Sequence, residues 1–254
     1  MSWWFWAGAT SPNVMALPAD NRHMSNRAGP NLAAPRLHLG CGLNAPEDWL
    51  NVDGSAQVWF AQHPRLKRLL VSMRVYPASQ AAIPWPANVL RLDLRKPLPF
   101  STGRFEAVYS SHTFEHLYRA QAEALALECF RVLKPGGVCR LVLPDLQAAA
   151  RRYLARLEGG DTAEAGNQLM EELLVHPASP PAGLLGWYHR VLGFHQHKWM
   201  YDAAGLRRLL RVAGFVELTN PACCQGRLPD VERIENPSRV EDGAGVVVEG
   251  LKPA

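Results

Sequence analysis

Residues Leu37–Gly42 read LHLGCG, and a short loop later the chain continues Asn51-Val52-Asp53. An apolar strand, a glycine turn and a second strand ending in a carboxylate make a pocket for a nucleoside in a parallel α/β sheet. Glycine lets the backbone approach a ligand that a Cβ would exclude, and Asp53 can accept hydrogen bonds from a ribose diol. A lone Gly-x-Gly is weak, but further landmarks stand behind it in order. Asp93 falls in the strand pattern Val89–Leu94, and Ser110-Ser111-His112 follows the strand pattern Phe105–Ser110. Ligands of open parallel sheets lie across the carboxyl ends of the strands, so these landmarks are expected to face one crevice. The H-x-H spacing of His195 and His197 invites a metal. No further cysteine or carboxylate ligand pattern accompanies it, and no metal is expected.

The bulk of the chain suits such a sheet. With 254 residues, 48% hydrophobic and 20% charged, it can fill the core of one α/β domain with an elaboration or tails. The formal charge of +4 is mild and spread out. No aromatic-basic stacking platform is visible, so a nucleic-acid partner is not expected. Five cysteines without a C-x-x-C pair point to a reduced, cytoplasmic protein. No apolar run approaches the ~20 residues that span a bilayer. The aromatic start MSWWFWAGAT lacks a basic leader and makes a poor signal peptide, while Trp3, Trp4, Phe5 and Trp6 leave peripheral membrane contact open.

Residues 1–35 lack periodicity and are expected to form a flexible extension before a domain spanning 36–254. The link between the first two strands is too short for an ordinary crossover helix. At most one helical turn fits at Ala45–Asp48, so the first helix is truncated. Val58–Arg74 reads as a helical pair broken at Pro64, and Pro77–Pro86 as a loop. A helix is expected from about Glu115 to Leu133, with Leu117, Ala120, Ala124, Leu127 and Phe130 as its apolar stripe. Lys134-Pro135-Gly136-Gly137 stops it, and Val138–Leu143 forms a buried central strand. Asp145 caps a helix to about Leu157. Two more helices are read at Thr162–Val175 and Leu184–Leu192. Asp202 caps another, in which Leu206, Leu209, Leu210 and Ala213 share a face. Phe215–Leu218 and Gly245–Gly250 form a closing antiparallel hairpin, with the long excursion Thr219–Asp242 between its arms.

Six stretches in fixed order carry a family likeness: LHLGCG, NVDGS, LDLRKPLPF, FEAVYSSHTFEHL, CFRVLKPGGVCRLVLPDL and HKWMYDAAGLRRLLRVAGF. In these the chain resembles the class I S-adenosylmethionine-dependent methyltransferases, type 11 group. The resemblance implies a Rossmann-like, mostly parallel sheet with helices on both faces, one antiparallel strand near the C-terminus, and helical insertions at about 58–86 and 147–201. It implies S-adenosylmethionine as cofactor. Gly40, Cys41 and Gly42 would lie under its methionine part, and Asp53 with Gly54 would meet the ribose. Asp93 and the Leu94 backbone would meet the adenine, and Ser110, Ser111 and His112 would floor the sulfonium. The third glycine common in the first loop is replaced by Leu43-Asn44.

For a methyl transfer the protein must mainly align acceptor, methyl and sulfur. An oxygen acceptor also calls for a general base, for which His112, His197 and Asp145 are the expected residues. His116 is read as orienting the helix after it, and His197 with Tyr201 as part of a substrate-facing lid. The acceptor expected from the resemblance is a small molecule or saccharide. Two other readings stand beside this one, a catalytically silent cofactor-binding subunit and a nicotinamide-dependent oxidoreductase. The oligomeric state is not legible.

Overall fold

The computed structural model describes residues 29–160, 163–174 and 196–254. Of the expected extension 1–35, the residues before 29 lie outside the described residues, as do the helix at Leu184–Leu192 and His195; the remainder is docked rather than loose, with Ala34 in the core and Asn31 Nδ2 donating to Glu47 O (2.9 Å). Seven strands are present: β1 (Arg36–Leu39), β2 (Trp49–Asp53), β3 (Val89–Arg91), β4 (Phe105–Ser111), β5 (Leu133–Pro144), β6 (Val216–Thr219) and β7 (Gly245–Leu251). They form one sheet in the order β3-β2-β1-β4-β5-β7-β6. The first five are mutually parallel, and β7 runs antiparallel between β5 and β6. Strand order reverses between β1 and β4, which makes their carboxyl ends the switch point where such sheets bind ligands.

The helices are α1 (Ala56–Gln62), α2 (Pro64–Ser72), α3 (Ala78–Ala81), α4 (Arg119–Val132), α5 (Leu146–Glu158), α6 (Ala165–Leu173) and α7 (Ala203–Val212). Pro64 opens α2, where its missing N–H removes no bond. The side chains of Asp145 and Asp202 cap α5 and α7 by accepting from Gln147 N (2.8 Å) and Gly205 N (2.7 Å). Among the described residues, no helix is long and apolar enough to cross a membrane.

One face of the sheet presents Leu37, Leu39, Leu50, Val52, Val108 and Leu141 to α4 and α7. Leu206, Leu209, Leu210 and Ala213 are all buried there, as their shared helical face requires. In α4 the buried row is Ala122, Leu125, Ala126, Cys129 and Val132, not the stripe expected from Leu117 and Leu127. Leu127 is 53% exposed. The helix begins at Arg119, after a single 3₁₀ turn at Phe114–His116, so Leu117 lies outside it and the phase of the apolar row shifts.

The opposite face solves a problem that the short β1–β2 link creates. Residues Gly40–Asp48 contain no helix, not even the single turn expected at Ala45–Asp48, and leave Trp49, Ala107, Tyr109, Val138 and Val142 without a crossover helix to cover them. The excursion between β6 and β7 takes that place, burying Leu228, Val231 and Ile234 on this face. Asn44 Nδ2 donates to Ile234 O (2.8 Å), and Arg36 pairs with Asp230 (2.9 Å).

An ion triad anchors the excursion from below. Arg140 of β5 is fully buried and donates to Glu235 (2.8 and 2.5 Å), Glu249 of β7 (2.8 Å) and the Gln225 carbonyl (2.7 Å). Burial alone would lower the Arg140 pKa, but Glu235 and Glu249 outweigh it and hold the guanidinium charged. The two carboxylates use their remaining lone pairs on backbone N–H groups of the excursion, at Cys224 (2.6 Å) and Arg227 (2.8 Å).

Candidate active site

The turn after β1 is stitched to the end of β2. Gly40 and Gly42 adopt left-handed backbones, φ +67° and +56°, which a side chain would disfavour. Gly40 N and Cys41 N both donate to Val52 O (2.8 and 3.1 Å). Asp53 completes the seam by accepting from Gly42 N (2.9 Å) and Ser55 N (2.7 Å), one bond per carboxylate oxygen. Burial raises its pKa, while those two N–H groups pull it down. Cys41 is buried among Val58, Trp85 and Val89, and burial followed by the Asp53 charge pushes its thiol up, leaving it inert.

β3 ends at Arg91, earlier than the expected Leu94, because the chain turns there. Asp93 sits in that turn, its carboxylate gripped by Arg95 Nε (2.7 Å) and Nη2 (2.8 Å), which holds its pKa below the usual range. Leu94 drops its side chain into the core. A Cβ on Gly54 would stand 3.2 Å from Leu92 O, so the ends of β2 and β3 pass closely.

At the end of β4, Ser110 Oγ donates to Leu39 O (3.1 Å) and so ties β4 to β1. Ser111 is buried, with the Tyr109 hydroxyl beside it. His112 takes a left-handed backbone, φ +51°, and burial, reinforced by the Arg239 charge, pushes its pKa down to about 3. Thr113 packs over Gly40, where a Cβ would collide with Thr113 Oγ1. The missing Cβ of Gly40 therefore makes room for a neighbouring side chain.

Beyond the β4 end lies a cluster that sequence reading underestimates. Glu115, in the 3₁₀ turn, is fully buried, and neither carboxylate oxygen finds a hydrogen-bond partner on another residue. Burial pushes its pKa up to about 8. Three imidazoles surround its Oε1: His112 Nδ1 at 3.5 Å, His116 Nε2 at 3.9 Å and His197 Nε2 at 4.0 Å. The segment from Gln196 to Tyr201 is fastened to this turn. Lys198 N and Trp199 N both donate to Glu115 O (2.7 and 3.2 Å), and His116 Nδ1 meets Gln196 O at 3.2 Å. Farther along, Tyr201 O accepts from Leu146 N (2.9 Å), beside the capping Asp145.

The structure thus gathers Gly40–Gly42, Asp53 and Ser110–His112 at the ends of β1, β2 and β4, with Asp93 beyond β3. His197 joins through Glu115, whereas Asp145 stands at the end of β5. Thr113, Glu115 and Arg239 are the residues that sequence reading leaves out. The Glu-His pair was a visible signal, but its partner His197 lies far along the chain. The donor set suits a nucleoside. Left-handed glycines form the turn, and the Asp53 carboxylate has about four acceptor positions of which two are filled.

Residues 37–141 match the family model described as a methyltransferase domain, of the type 11 group. No protein of curated function matches the chain. Similar solved structures include an S-adenosylmethionine-dependent methyltransferase of Thermotoga maritima, 17% identical, covering 85% of this chain and 81% of that one at a TM-score of 0.43. One from Methanosarcina mazei is 17% identical over 86% of this chain and 92% of that one, TM-score 0.43. One from Archaeoglobus fulgidus is 14% identical over 86% of each, TM-score 0.43. The strand order, not these distant likenesses, carries the fold.

Proposed function

We propose that this S-adenosylmethionine-dependent methyltransferase, whose type 11 domain occupies residues 37–141, methylates a hydroxyl group of a small-molecule or saccharide acceptor. When bound, the cofactor supplies an electrophilic methyl on a sulfonium. The chain's task is then to hold, align and exclude water. In this reading Asp53 accepts from the ribose hydroxyls with the lone pairs that Gly42 and Ser55 leave unused. Gly40, Cys41, Gly42 and Gly54 shape the backbone beneath it. Asp93 and the Leu94 backbone meet the adenine edge. Ser111 and His112 floor the reacting end, with Ser110 holding that floor to β1. Residues 36–254 act as one domain, with α5 and α6 in an acceptor-side insertion.

The observation that supports the acceptor class is an aromatic rim beside this site. Trp199 and Tyr118 are 46% and 61% exposed. The Arg119 guanidinium lies 5.7 Å from the Trp199 ring, and Lys198 Nζ lies 4.9 Å from the Tyr118 ring. Next to them runs a cleft lined by Glu123, Tyr201, Asp202 and Arg208. Exposed ring faces flanked by hydrogen-bonding groups suit the apolar face and hydroxyls of a sugar. His112, quarter-exposed and neutral, is the group placed to accept the hydroxyl proton. Asp145 is occupied as a helix cap, and His197 is buried.

The test is incubation of the full chain with S-adenosylmethionine and a panel of hydroxylated saccharides and amine-bearing small molecules, read by mass. A gain of one methyl on a saccharide oxygen is expected. Trp199→Ala should raise KM for that acceptor about 3- to 10-fold, the worth of one stacking contact. His112→Ala should lower kcat about 10²- to 10⁴-fold. Methylation confined to amines overturns the acceptor class.

A further inference from the structure

The buried Glu115 presents an electrostatic problem that the methyl-transfer reading leaves open. Its carboxylate is 1% exposed and accepts no hydrogen bond from another residue, an arrangement that is costly unless a proton or cation compensates it. The imidazole nitrogens around it stand 3.5–4.0 Å away, too far for hydrogen bonds. One tautomer sharpens the problem. A backbone carbonyl can only accept, so His116 Nδ1 donates to Gln196 O at 3.2 Å. The nitrogen of His116 that faces Glu115, Nε2, therefore carries a lone pair. Lone pairs of this imidazole and the carboxylate converge on one small space. The Arg239 guanidinium lends positive field from outside it; a proton on Glu115 would relieve one oxygen, whereas a cation between the atoms would serve all of them.

We propose that Glu115, His116 and His197 bind one divalent metal ion of the zinc type, which clips the Gln196–Tyr201 segment to the turn after β4. Their ligand atoms all lie within 4.8 Å of one another. A tetrahedral zinc with bonds of ~2.0–2.2 Å has donor atoms about 3.3–3.6 Å apart, so side-chain shifts of under about 1 Å close the shell. Two imidazoles and a carboxylate are a donor set that zinc accepts. The Gln196 carbonyl supplies the outer hydrogen bond that typically fixes a ligating histidine's ring. A fourth position is left for water. The ion is buried with its ligands, so its role is to join two segments far apart in sequence: one ends the β4 floor, and the other carries Trp199 and Tyr201. Cys223, Cys224 and Glu235 form a second cluster of ligand type, but Arg140 already occupies Glu235.

The experiment uses the full chain without a histidine tag, purified without chelator, with its metal content measured by mass spectrometry and cobalt binding followed by visible absorption. One zinc per chain is expected, with a tetrahedral cobalt spectrum on substitution. Glu115→Gln and His197→Gln should each weaken the ion by more than about 100-fold, since even outer-shell partners are worth about 10–100-fold. X-ray absorption of the zinc-loaded wild type should show nitrogen and oxygen neighbours only, a reading independent of whether the variants fold. No metal at stoichiometric zinc overturns the proposal and leaves Glu115 as a carboxyl kept neutral by its proton. Sulfur in the shell, or retention by both variants, overturns it by placing the ion elsewhere. None of these readouts depends on methyl transfer.

Discussion

Arg140→Met isolates the interaction that holds the excursion on the sheet. The methionine fills much of the arginine volume but leaves Glu235 and Glu249 buried without their counter-charge. Arg140 makes three bonds of 2.5–2.8 Å to them with both partners fully enclosed. Breaking a buried pair from one side costs about 3–5 kcal/mol. For a domain of this size each kcal/mol moves Tm by roughly 2–4 °C, so Tm should fall by roughly 6–20 °C. Urea unfolding gives the free energy, and limited trypsin digestion at Arg227 and Arg233 reports whether the excursion opens first. Adding Glu235→Gln and Glu249→Gln to Arg140→Met removes both stranded charges while keeping acceptors for Cys224 N and Arg227 N, and should restore at least half of the loss. A single variant costing under about 1 kcal/mol, or a triple variant no more stable than the single, refutes the argument.

Gly40→Ala forces a Cβ into a left-handed backbone and into Thr113 Oγ1. A loss of roughly 1–2 kcal/mol from the backbone alone is expected, measured by urea unfolding. Thr113→Gly added to Gly40→Ala should recover the part due to the collision. His38 is buried between Trp49 and Tyr109, and burial pushes its pKa down to about 3. The unfolded chain takes up that proton below about pH 6.5 while the folded chain refuses it, so stability is present at neutral pH and is lost as pH falls. Linkage puts this loss at about 2 kcal/mol between pH 7 and pH 5. His38→Phe should flatten the pH dependence of unfolding by that amount, and equal slopes would refute it.

What the sequence reveals and what it hides follow one physical divide. Signals carried by near neighbours are legible. The glycine turn and the β2 carboxylate, the caps Asp145 and Asp202, and the Leu206–Ala213 face all depend on residues within a few positions. The α4 stripe fails because ALALECFRVL holds two interleaved apolar rows, and only the 3₁₀ turn before Arg119 decides which one faces the sheet. The end of β3 is missed because Arg95 folds back on Asp93. Long-range substitutions are invisible from one chain. The excursion at 228–240 stands in for a first helix that the β1–β2 link has no room to form. The Glu115 cluster likewise needs His197, more than eighty residues away. At the glycine turn, one chain does not show that Gly40 yields its space to Thr113.

Asp53 is the proposed grip on the cofactor's ribose, and calorimetric titration of S-adenosylmethionine and its demethylated product into wild type and Asp53→Ala tests this role most directly. Two hydrogen bonds to a charged acceptor are worth about 1.5–3 kcal/mol each, so the variant, checked as folded by its thermal transition, should bind about 100-fold more weakly or worse. A folded variant whose Kd stays within about threefold of wild type, a gap of under about 0.7 kcal/mol, contradicts it.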